Sequence, residues 1–448
     1  MPQTIAAAAE ALAAGRTSAR ALTEAALARI ADPSGQGSLA FVAVQAEAAR
    51  AAADAMDALR AAGRAPSPFA GIPISVKDLF DQEGQVTAAG STALAGTKPA
   101  TATAPVVARL ERLGFVVLGR TNMVEFAFSG LGVNPHFGTP LSPWDRATGR
   151  CPGGSSSGAA VAVADGMGFA GLGSDTGGSC RVPAALCGVV GYKPTAEVVP
   201  TTGVFPLSQS LDSIGPLARS VACCALIHAA MAGDEQPVVP VALPLAGLRL
   251  GLPRGTYLTE GMDAIVATGF DAALARLAAA GAVVVPFDLP ELADVPAANA
   301  TGGFAASEAW ALHRDLIATK GRLYDPRILA RILRGEAMSA ADYITLVAAR
   351  QKIIAAIAPR TAPFDAVVMP TCPIIPPAVA EVEPEAAYNR INMLLLRNTS
   401  AGNFLDRCAI SLPCHRPGEA PVGLMLMGEH GGDRRLFAVA AAVEAALG

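Results

Sequence analysis

Two glycine- and serine-rich clusters lie close together in the sequence and combine residue types suited to nucleophilic chemistry. The first runs from Gly153 to Gly158 and the second from Gly173 to Ser179. Serine supplies a hydroxyl nucleophile, and glycine lets backbone N–H groups approach a ligand closely. The two clusters therefore indicate a candidate site for attack on an electrophilic substrate.

A serine hydroxyl is a poor nucleophile until a base takes its proton, and the sequence offers a lysine for this role. The alternating residues 72–78 predict a short strand with Lys77 and Asp78 on opposite faces. A lysine whose pKa is lowered by burial can act as the base, so no histidine is required. Taken alone, Lys77 is more typical of an ordinary lysine that extends to the surface.

Three looser motifs are not supported by their surroundings. The residues 154–158 fit GxSxG with Ser156 at the tip, but a proline-rich loop precedes them where a strand is required. Asp175-Thr176-Gly177 resembles an aspartic-protease signature, yet no second copy occurs. The residues 166–171 fit GxGxxG without a convincing strand–turn–helix unit around them.

The composition restricts the partners and the compartment that we expect. The chain has 448 residues and a net charge of −4 without blocks of like charge, so neither a nucleic acid nor an anionic membrane surface is favoured. No uninterrupted apolar stretch reaches the roughly 18 residues of a spanning helix. The eight cysteines form no CxxC pair and no zinc-type cluster, which favours free thiols in a reducing cytoplasm and no metal site.

Helix and strand patterns alternate along the chain and predict an α/β fold in a single domain. We expect a helical N-terminal arm over residues 1–65, a catalytic core over 66–232 and a C-terminal half over 233–448 that covers the pocket. Within the arm, the pattern predicts two helices over residues 5–30, separated at 14–17, and a third from Val42 to Ala62. A further helix is expected at 220–232, with Ser220 as its N-cap.

The stretch 151–195 resembles the signature of the amidase signature family. The similarity lies in several separate motifs and extends over residues 69–217, about a third of the chain. The matching segments are Gly71-Ile72-Pro73-Ile74-Ser75-Val76-Lys77-Asp78, Gly138-Thr139-Pro140, Gly153-Gly154-Ser155-Ser156, Gly173-Ser174-Asp175-Thr176-Gly177-Gly178-Ser179 and Lys193-Pro194-Thr195.

The resemblance implies a Ser-cis-Ser-Lys triad. Ser179 is the expected nucleophile, Ser155 the bridging serine after a cis peptide bond, and Lys77 the base. The family also places an oxyanion hole on the backbone N–H groups of the loop that ends at the nucleophile, which here comprises Thr176, Gly177, Gly178 and Ser179. Consecutive small residues suit this role because they let amides converge on one oxygen.

Four further features are interpreted through the same resemblance. The segment Phe128-Ser129-Gly130-Leu131 matches positions that line the acyl pocket in relatives, although ordinary loop packing accounts for it equally well. Ser157 and Cys180 depart from the usual family residues; we expect Ser157 to cap the following helix and Ser179, not Cys180, to be the nucleophile. Arg181 is expected to anchor the loop rather than to bind a substrate carboxylate.

The resemblance further implies an α/β/α sandwich with a large mixed, mostly parallel sheet flanked by helices. The expected activity is hydrolysis of an amide C–N bond through an acyl-enzyme, with a small-molecule substrate and water and without a cofactor. Three alternatives stay open: a carbamate, urea-like or ester substrate, the A subunit of a tRNA-dependent amidotransferase, and a scaffold without catalysis. A homo-oligomer is compatible with the sequence.

Overall fold

The computed structural model describes residues 4–448, and eleven strands in this range form one sheet. The order across the sheet is β1-β3-β2-β4-β6-β5-β10-β11-β9-β7-β8. The strands are β1 (Phe41–Val44), β2 (Pro73–Lys77), β3 (Val116–Thr121), β4 (Ala170–Asp175), β5 (Val190–Lys193), β6 (Ser213–Ala218), β7 (Arg249–Arg254), β8 (Val283–Asp288), β9 (Ala366–Pro370), β10 (Ala409–Pro413) and β11 (Gly423–Met427).

The large mixed sheet with flanking helices confirms the predicted α/β fold, but the sheet is not mostly parallel. Among the described residues, β2 pairs in parallel with β3 and β4, and β7 with β8 and β9. The other six pairings are antiparallel, including β4 with β6 and β5 with both β6 and β10. Short connections such as that from β10 to β11 reverse the chain, and this reversal produces antiparallel neighbours.

Sixteen α-helices accompany the sheet in the described part of the chain. They are α1 (Ile5–Ala13), α2 (Ala19–Ala31), α3 (Gly37–Ala40), α4 (Ala46–Ala61), α5 (Pro105–Arg112), α6 (Ser157–Ala164), α7 (Arg181–Cys187), α8 (Val221–Ala232), α9 (Ala264–Ala279), α10 (Asp294–Ala298), α11 (Gly303–Lys320), α12 (Pro326–Leu333), α13 (Ala340–Thr361), α14 (Glu385–Leu396), α15 (Thr399–Phe404) and α16 (Asp433–Leu447). None of the helices within residues 4–448 is both long and apolar enough to cross a bilayer.

Several local predictions are confirmed and one is wrong. The predicted break at 14–17 separates α1 from α2, and Ser220 caps α8 by accepting a hydrogen bond from the Cys223 N–H. The helix predicted from Val42 to Ala62 begins only at Ala46, because Phe41 to Val44 pair with β3 as an edge strand. The N-terminal segment is therefore not wholly helical.

The sheet topology places the two sequence clusters beside Lys77. The neighbouring strands β2 and β4 are parallel, with Ser75 opposite Gly171, so their carboxyl ends lie at the same edge of the sheet. Lys77 is the last residue of β2, and the second cluster continues from β4 into the loop that ends at Ser179. Ligands of α/β sheets commonly bind at such carboxyl ends.

Candidate active site

Lys77 is fully buried and contacts one serine from each cluster. Its Nζ donates hydrogen bonds to Ser155 Oγ at 2.8 Å and to Ser174 Oγ at 2.9 Å. Burial penalises the charged ammonium and lowers the pKa of Lys77 to about 8. Asp78, on the opposite face of the chain, pairs with Arg120 at 2.7 Å and is no partner for Lys77. At pH 7 about a tenth of Lys77 is thus neutral and able to accept a proton, and this fraction rises with pH.

Ser155 is fixed by the loop that carries the first cluster. The Gly154–Ser155 peptide bond is cis. The Ser155 carbonyl accepts a hydrogen bond from the Val124 N–H at 3.1 Å, and the Gly154 N–H donates to the Gly130 carbonyl at 2.8 Å. These bonds hold the backbone on both sides of the cis bond and fix the Ser155 hydroxyl at Lys77.

The expectation that Ser157 caps α6 is wrong. Ser157 is the first residue of α6 and Ser156 is the N-cap, which makes no side-chain capping bond. The Ser157 hydroxyl instead donates to the Asn122 carbonyl at 3.5 Å, and the residue is fully buried. Its side chain therefore ties α6 to the end of β3.

Ser179 follows β4 and lies beside the first cluster. The residue is 3% exposed, so the nucleophile candidate is nearly enclosed. The Ser156 N–H donates to the Ser179 carbonyl at 3.2 Å, which places the residue after Ser155 directly against Ser179. The structure thus brings Lys77, Ser155 and Ser179 into one region of the molecule.

The loop Thr176 to Ser179 is held from two sides while its amides stay available. Thr176 Oγ1 donates to Asp212 Oδ1 at 2.5 Å, and Thr399 Oγ1 donates to the Gly177 carbonyl at 2.6 Å. Gly178 has φ +137°, a conformation that favours glycine. Within residues 4–448, the backbone N–H groups of Gly177, Gly178 and Ser179 donate to no backbone or side-chain acceptor. Free amides on a fixed loop suit the stabilisation of an oxyanion.

Arg181 anchors the nucleophile loop, the role that the sequence favoured. Its Nη2 lies 2.9 Å from Asp175 Oδ1 and donates to Asn403 Oδ1 at 2.7 Å, and all three side chains are buried. Burial alone would raise the pKa of Asp175, but the Arg181 guanidinium outweighs it and holds that pKa below its usual value. Asp175 Oδ2 also accepts the Cys180 N–H at 3.0 Å. A guanidinium paired in this way is not available to a substrate.

Cys180 is not suited to be the nucleophile. Its side chain is completely buried, and burial raises the pKa of the thiol well above its usual value. The Sγ atom donates to the Gly215 carbonyl at 3.5 Å. Because the thiolate is the reactive form, this environment favours Ser179 over its neighbour.

The sequence did not reveal three residues that hold this site. Ser174, the second partner of Lys77, lies within one of the matching motifs, and that membership was the only sequence signal for it. Asp212, whose burial raises its pKa to about 6, approaches Thr176 only through the pairing of β4 with β6. Thr399 lies in the C-terminal half, where no motif was recognised.

The segment Phe128 to Leu131 contacts α14 from the C-terminal half. Ser129 Oγ and the Gly130 N–H both donate to Asn392 Oδ1, at 2.9 and 2.7 Å. The Gly130 carbonyl also accepts a hydrogen bond from the N–H of Gly154, so this segment contacts the Ser155 loop at the residue before Ser155. No group of three or more His, Cys, Asp or Glu side chains within residues 4–448 is placed to hold a metal ion.

Known proteins resemble this chain along nearly its whole length. The family model Amidase matches residues 21–437. The chain is 39% identical to 2-amino-5-chloromuconic acid deaminase of Comamonas testosteroni, over 89% of this chain and 87% of the relative. It is 36% identical to a glutamyl-tRNA(Gln) amidotransferase subunit of Anaeromyxobacter sp. (strain K), over 98% and 94%. It also superposes on a crystal structure of an amidase with a TM-score of 0.90 and 31% identity, over the full length of both chains. The chain belongs to the amidase signature family, whose hydrolases act on the C–N bonds of amides.

Proposed function

We propose that this protein hydrolyses a small-molecule amide through an acyl-enzyme on Ser179. The observation that carries the proposal is the 2.8 Å hydrogen bond from the buried Lys77 Nζ to Ser155 Oγ, because burial also lowers the pKa of this lysine. A neutral Lys77 accepts the proton of Ser155, and Ser155 in turn takes the proton of Ser179. The Ser179 oxygen then attacks the carbonyl carbon of the amide.

The loop amides and the same relay complete the reaction. The tetrahedral intermediate places its negative oxygen at the N–H groups of Thr176 to Ser179, where each donor contributes a factor of about 10²–10³ to turnover. As the C–N bond breaks, the relay returns the proton to the leaving amine. Water then attacks the ester carbonyl, and its proton returns to Ser179 as the acid leaves.

The proposed triad does not by itself select the leaving group. A carbamate, urea-like or ester carbonyl presents the same electrophilic carbon to Ser179, so these substrates belong in the same assay. The described cysteines are all free thiols, which supports the proposal of a cytoplasmic location.

A second candidate function is that of the catalytic component of a tRNA-dependent amidotransferase. The observation that favours it is the identity to such a protein along nearly the whole chain. This function requires partner subunits and an aminoacyl-tRNA, whereas hydrolysis of a small amide requires only this chain and water.

One assay panel tests the proposal and separates the alternatives. The purified chain is measured alone on primary amides, aryl amides, esters and carbamates, beside Ser179→Ala, Lys77→Ala and the neighbouring control Cys180→Ala. We expect the wild type and Cys180→Ala to cleave amides and the two triad variants to lose about 10³-fold or more of kcat. Full activity of Ser179→Ala on every cleaved substrate would refute the triad. Activity only with added partner subunits and aminoacyl-tRNA would establish the second function.

A further inference from the structure

Arg331 on α12 is a buried cation without an oxygen acceptor. The residue is 8% exposed, and its Nε and Nη1 atoms make no hydrogen bond. Its Nη2 reaches only the weakly accepting sulfur of Met393, at 3.9 Å. No carboxylate in the described part of the chain lies within ion-pair distance of it. A guanidinium stays charged at all physiological pH values, so a buried, unpaired one is costly unless a ligand compensates it.

Two further polar atoms beside the segment Phe128 to Leu131 are also buried and unpartnered. They are the Tyr388 hydroxyl and the Asn392 Nδ2 amide, both on residues with no exposed surface. Ser129 lies near the Tyr388 hydroxyl, but the two make no hydrogen bond of standard geometry. Tyr388 and Asn392 are one turn apart on α14 and so lie on the same helix face. Asn392 Oδ1 is occupied by Ser129 and Gly130, which leaves the amide nitrogen as its free end.

Contacts place these donors at the same end of the segment. The Arg331 guanidinium lies over the Phe128 ring, 5.6 Å from its centre, and its charge interacts with Tyr388. On the other side of Tyr388, Arg327 lies 4.5 Å from the ring centre, but its charge is paired with Asp325 at 2.8 Å. Among the described residues, Arg331 is therefore the buried cation at this end of the segment that has no carboxylate partner, and the charge of the exposed Arg334 also acts on it.

The segment Phe128 to Leu131 and α14 also contact the loops that carry Ser155 and Ser179. The Gly130 carbonyl accepts the N–H of Gly154, the residue before Ser155. Leu396, at the end of α14, packs against Gly130 and lies near Gly177 of the nucleophile loop. The cluster of Arg331, Tyr388 and Asn392 thus lies beside the acyl side of the proposed reaction.

We propose that Arg331, with the Tyr388 hydroxyl and the Asn392 amide, binds a carboxylate on the acyl part of the substrate. The preferred substrates are then monoamides of dicarboxylic acids. A carboxylate has about four lone-pair positions and accepts from a guanidinium edge and from neutral donors at once. A carboxylate carries one negative charge, which matches one buried, unpaired cation. A phosphate ester carries a charge of about −1.5 to −2 and would exceed it. This inference rests on the proposed amide hydrolysis and specifies its substrate class.

The test compares acids with uncharged amides of the same carbon number, in which a methyl group replaces the carboxylate. Malonamic, succinamic and glutaramic acids are measured beside propionamide, butyramide and valeramide, and kcat/KM for each acid is divided by that for its neutral partner. We expect the best acid to exceed its partner by about 10²-fold, the usual effect of a buried charged pair. Arg331→Met should abolish this preference and Arg331→Lys restore part of it. The control Arg390→Met, at an exposed position of α14, should keep it.

A binding measurement separates this inference from the proposed reaction. Succinate and glutarate are titrated by calorimetry into Ser179→Ala and into the double variant Ser179→Ala/Arg331→Met, and we expect binding only to the first. If the wild type cleaves no amide but this difference is found, the reaction is wrong and the subsite stands. If amides are cleaved without preference for the acids, or Arg331→Met loses only thermal stability and keeps the ratio, the subsite is overturned. The wild-type ratio decides even where Arg331→Met fails to fold.

Discussion

At the scale of single residues, the protonation state of Lys77 controls the proposed reaction. The ammonium form, which predominates below the pKa of about 8, cannot accept a proton from Ser155. We therefore expect kcat/KM on a neutral amide to rise with pH, to pass its midpoint near that pKa and to level off above it. A pH–rate profile of the wild type measures this, and a rate that does not change through this range would contradict the role of Lys77.

Lys77→Met gives the matched comparison for that profile. Removing a general base typically costs about 10²–10⁴-fold in rate. We expect the residual activity of this variant to have lost the rise with pH, because the group that titrates is absent. Circular dichroism and the melting temperature check that the variant is folded.

The three triad residues could be proposed from the sequence because they lie in local motifs. Ser155 and Ser179 lie in glycine-rich clusters whose composition already indicates a site, and Lys77 ends a recognisable strand. Asp212 and Thr399 could not be proposed in this way. Each contacts the loop only through tertiary structure, and no local pattern marks either residue.

At the scale of elements, α15 positions the nucleophile loop through one hydroxyl. Thr399 Oγ1 donates to the Gly177 carbonyl at 2.6 Å. We expect Thr399→Val, which keeps the shape and removes the donor, to lower kcat by about fivefold, since a lost hydrogen bond is worth roughly 1 kcal/mol. Thr399→Ser should retain most of the activity. Equal kcat values for Thr399→Val and the wild type would show that this contact does not position the loop.

The two loop glycines should respond differently to alanine. A Cβ at Gly178 would lie 2.1 Å from Thr399 Oγ1 and at a positive φ, whereas a Cβ at Gly177 would meet only Leu396, at 3.8 Å. We expect Gly178→Ala to lower both the melting temperature and kcat, and Gly177→Ala to leave the melting temperature within a few degrees of the wild type. The packing of Thr399 against Gly178 therefore predicts a loss of stability for Gly178→Ala that Gly177→Ala does not share. Equal melting temperatures for the two variants would contradict it.

At the scale of elements, the strand β1 could not be predicted from the sequence. The predicted helix after residue 42 is present from Ala46 onward, but the four residues of β1 form a strand because β3 offers a free edge. Their conformation depends on a distant partner rather than on their own pattern. The helices α1, α2 and α8, which have local caps, were predictable.

At the scale of the whole molecule, a buried polar bridge joins the two halves of the chain. Arg181 at the start of α7 and Asp175 at the end of β4 meet Asn403 of α15. We expect Arg181→Met to reduce the free energy of unfolding by about 3–5 kcal/mol, because it leaves the buried Asp175 charge unpaired. The control Arg20→Met breaks exposed pairs with Glu24 and Asp54 and should cost much less. Urea denaturation measures both, and equal losses would contradict the bridge.

The fold class could be predicted from the alternation of helices and strands, but the strand directions could not. When helices cover both faces of a sheet, parallel and antiparallel strands have the same kind of sequence, a run of apolar and β-branched residues. The sequence of a strand therefore does not show its direction. The sheet order places β5 beside β10, a strand far away in the sequence, so no local feature identifies this pairing. The proposed carboxylate subsite could not be predicted for the same reason, since α12 and α14 carry no recognisable motif.

The most direct test of the central claim is to locate the acyl group on the protein. The chain is quenched in acid during turnover of a slow amide or ester, digested with trypsin and sequenced by tandem mass spectrometry. The peptide from Cys151 to Arg181 contains Ser155, Ser179 and Cys180, so fragmentation distinguishes all three. We predict an acyl group on Ser179 that is absent from Ser179→Ala. An acyl group on Cys180 or Ser155 would contradict the proposed mechanism. So would the absence of any acyl group from protein that is quenched while product is being released in a burst.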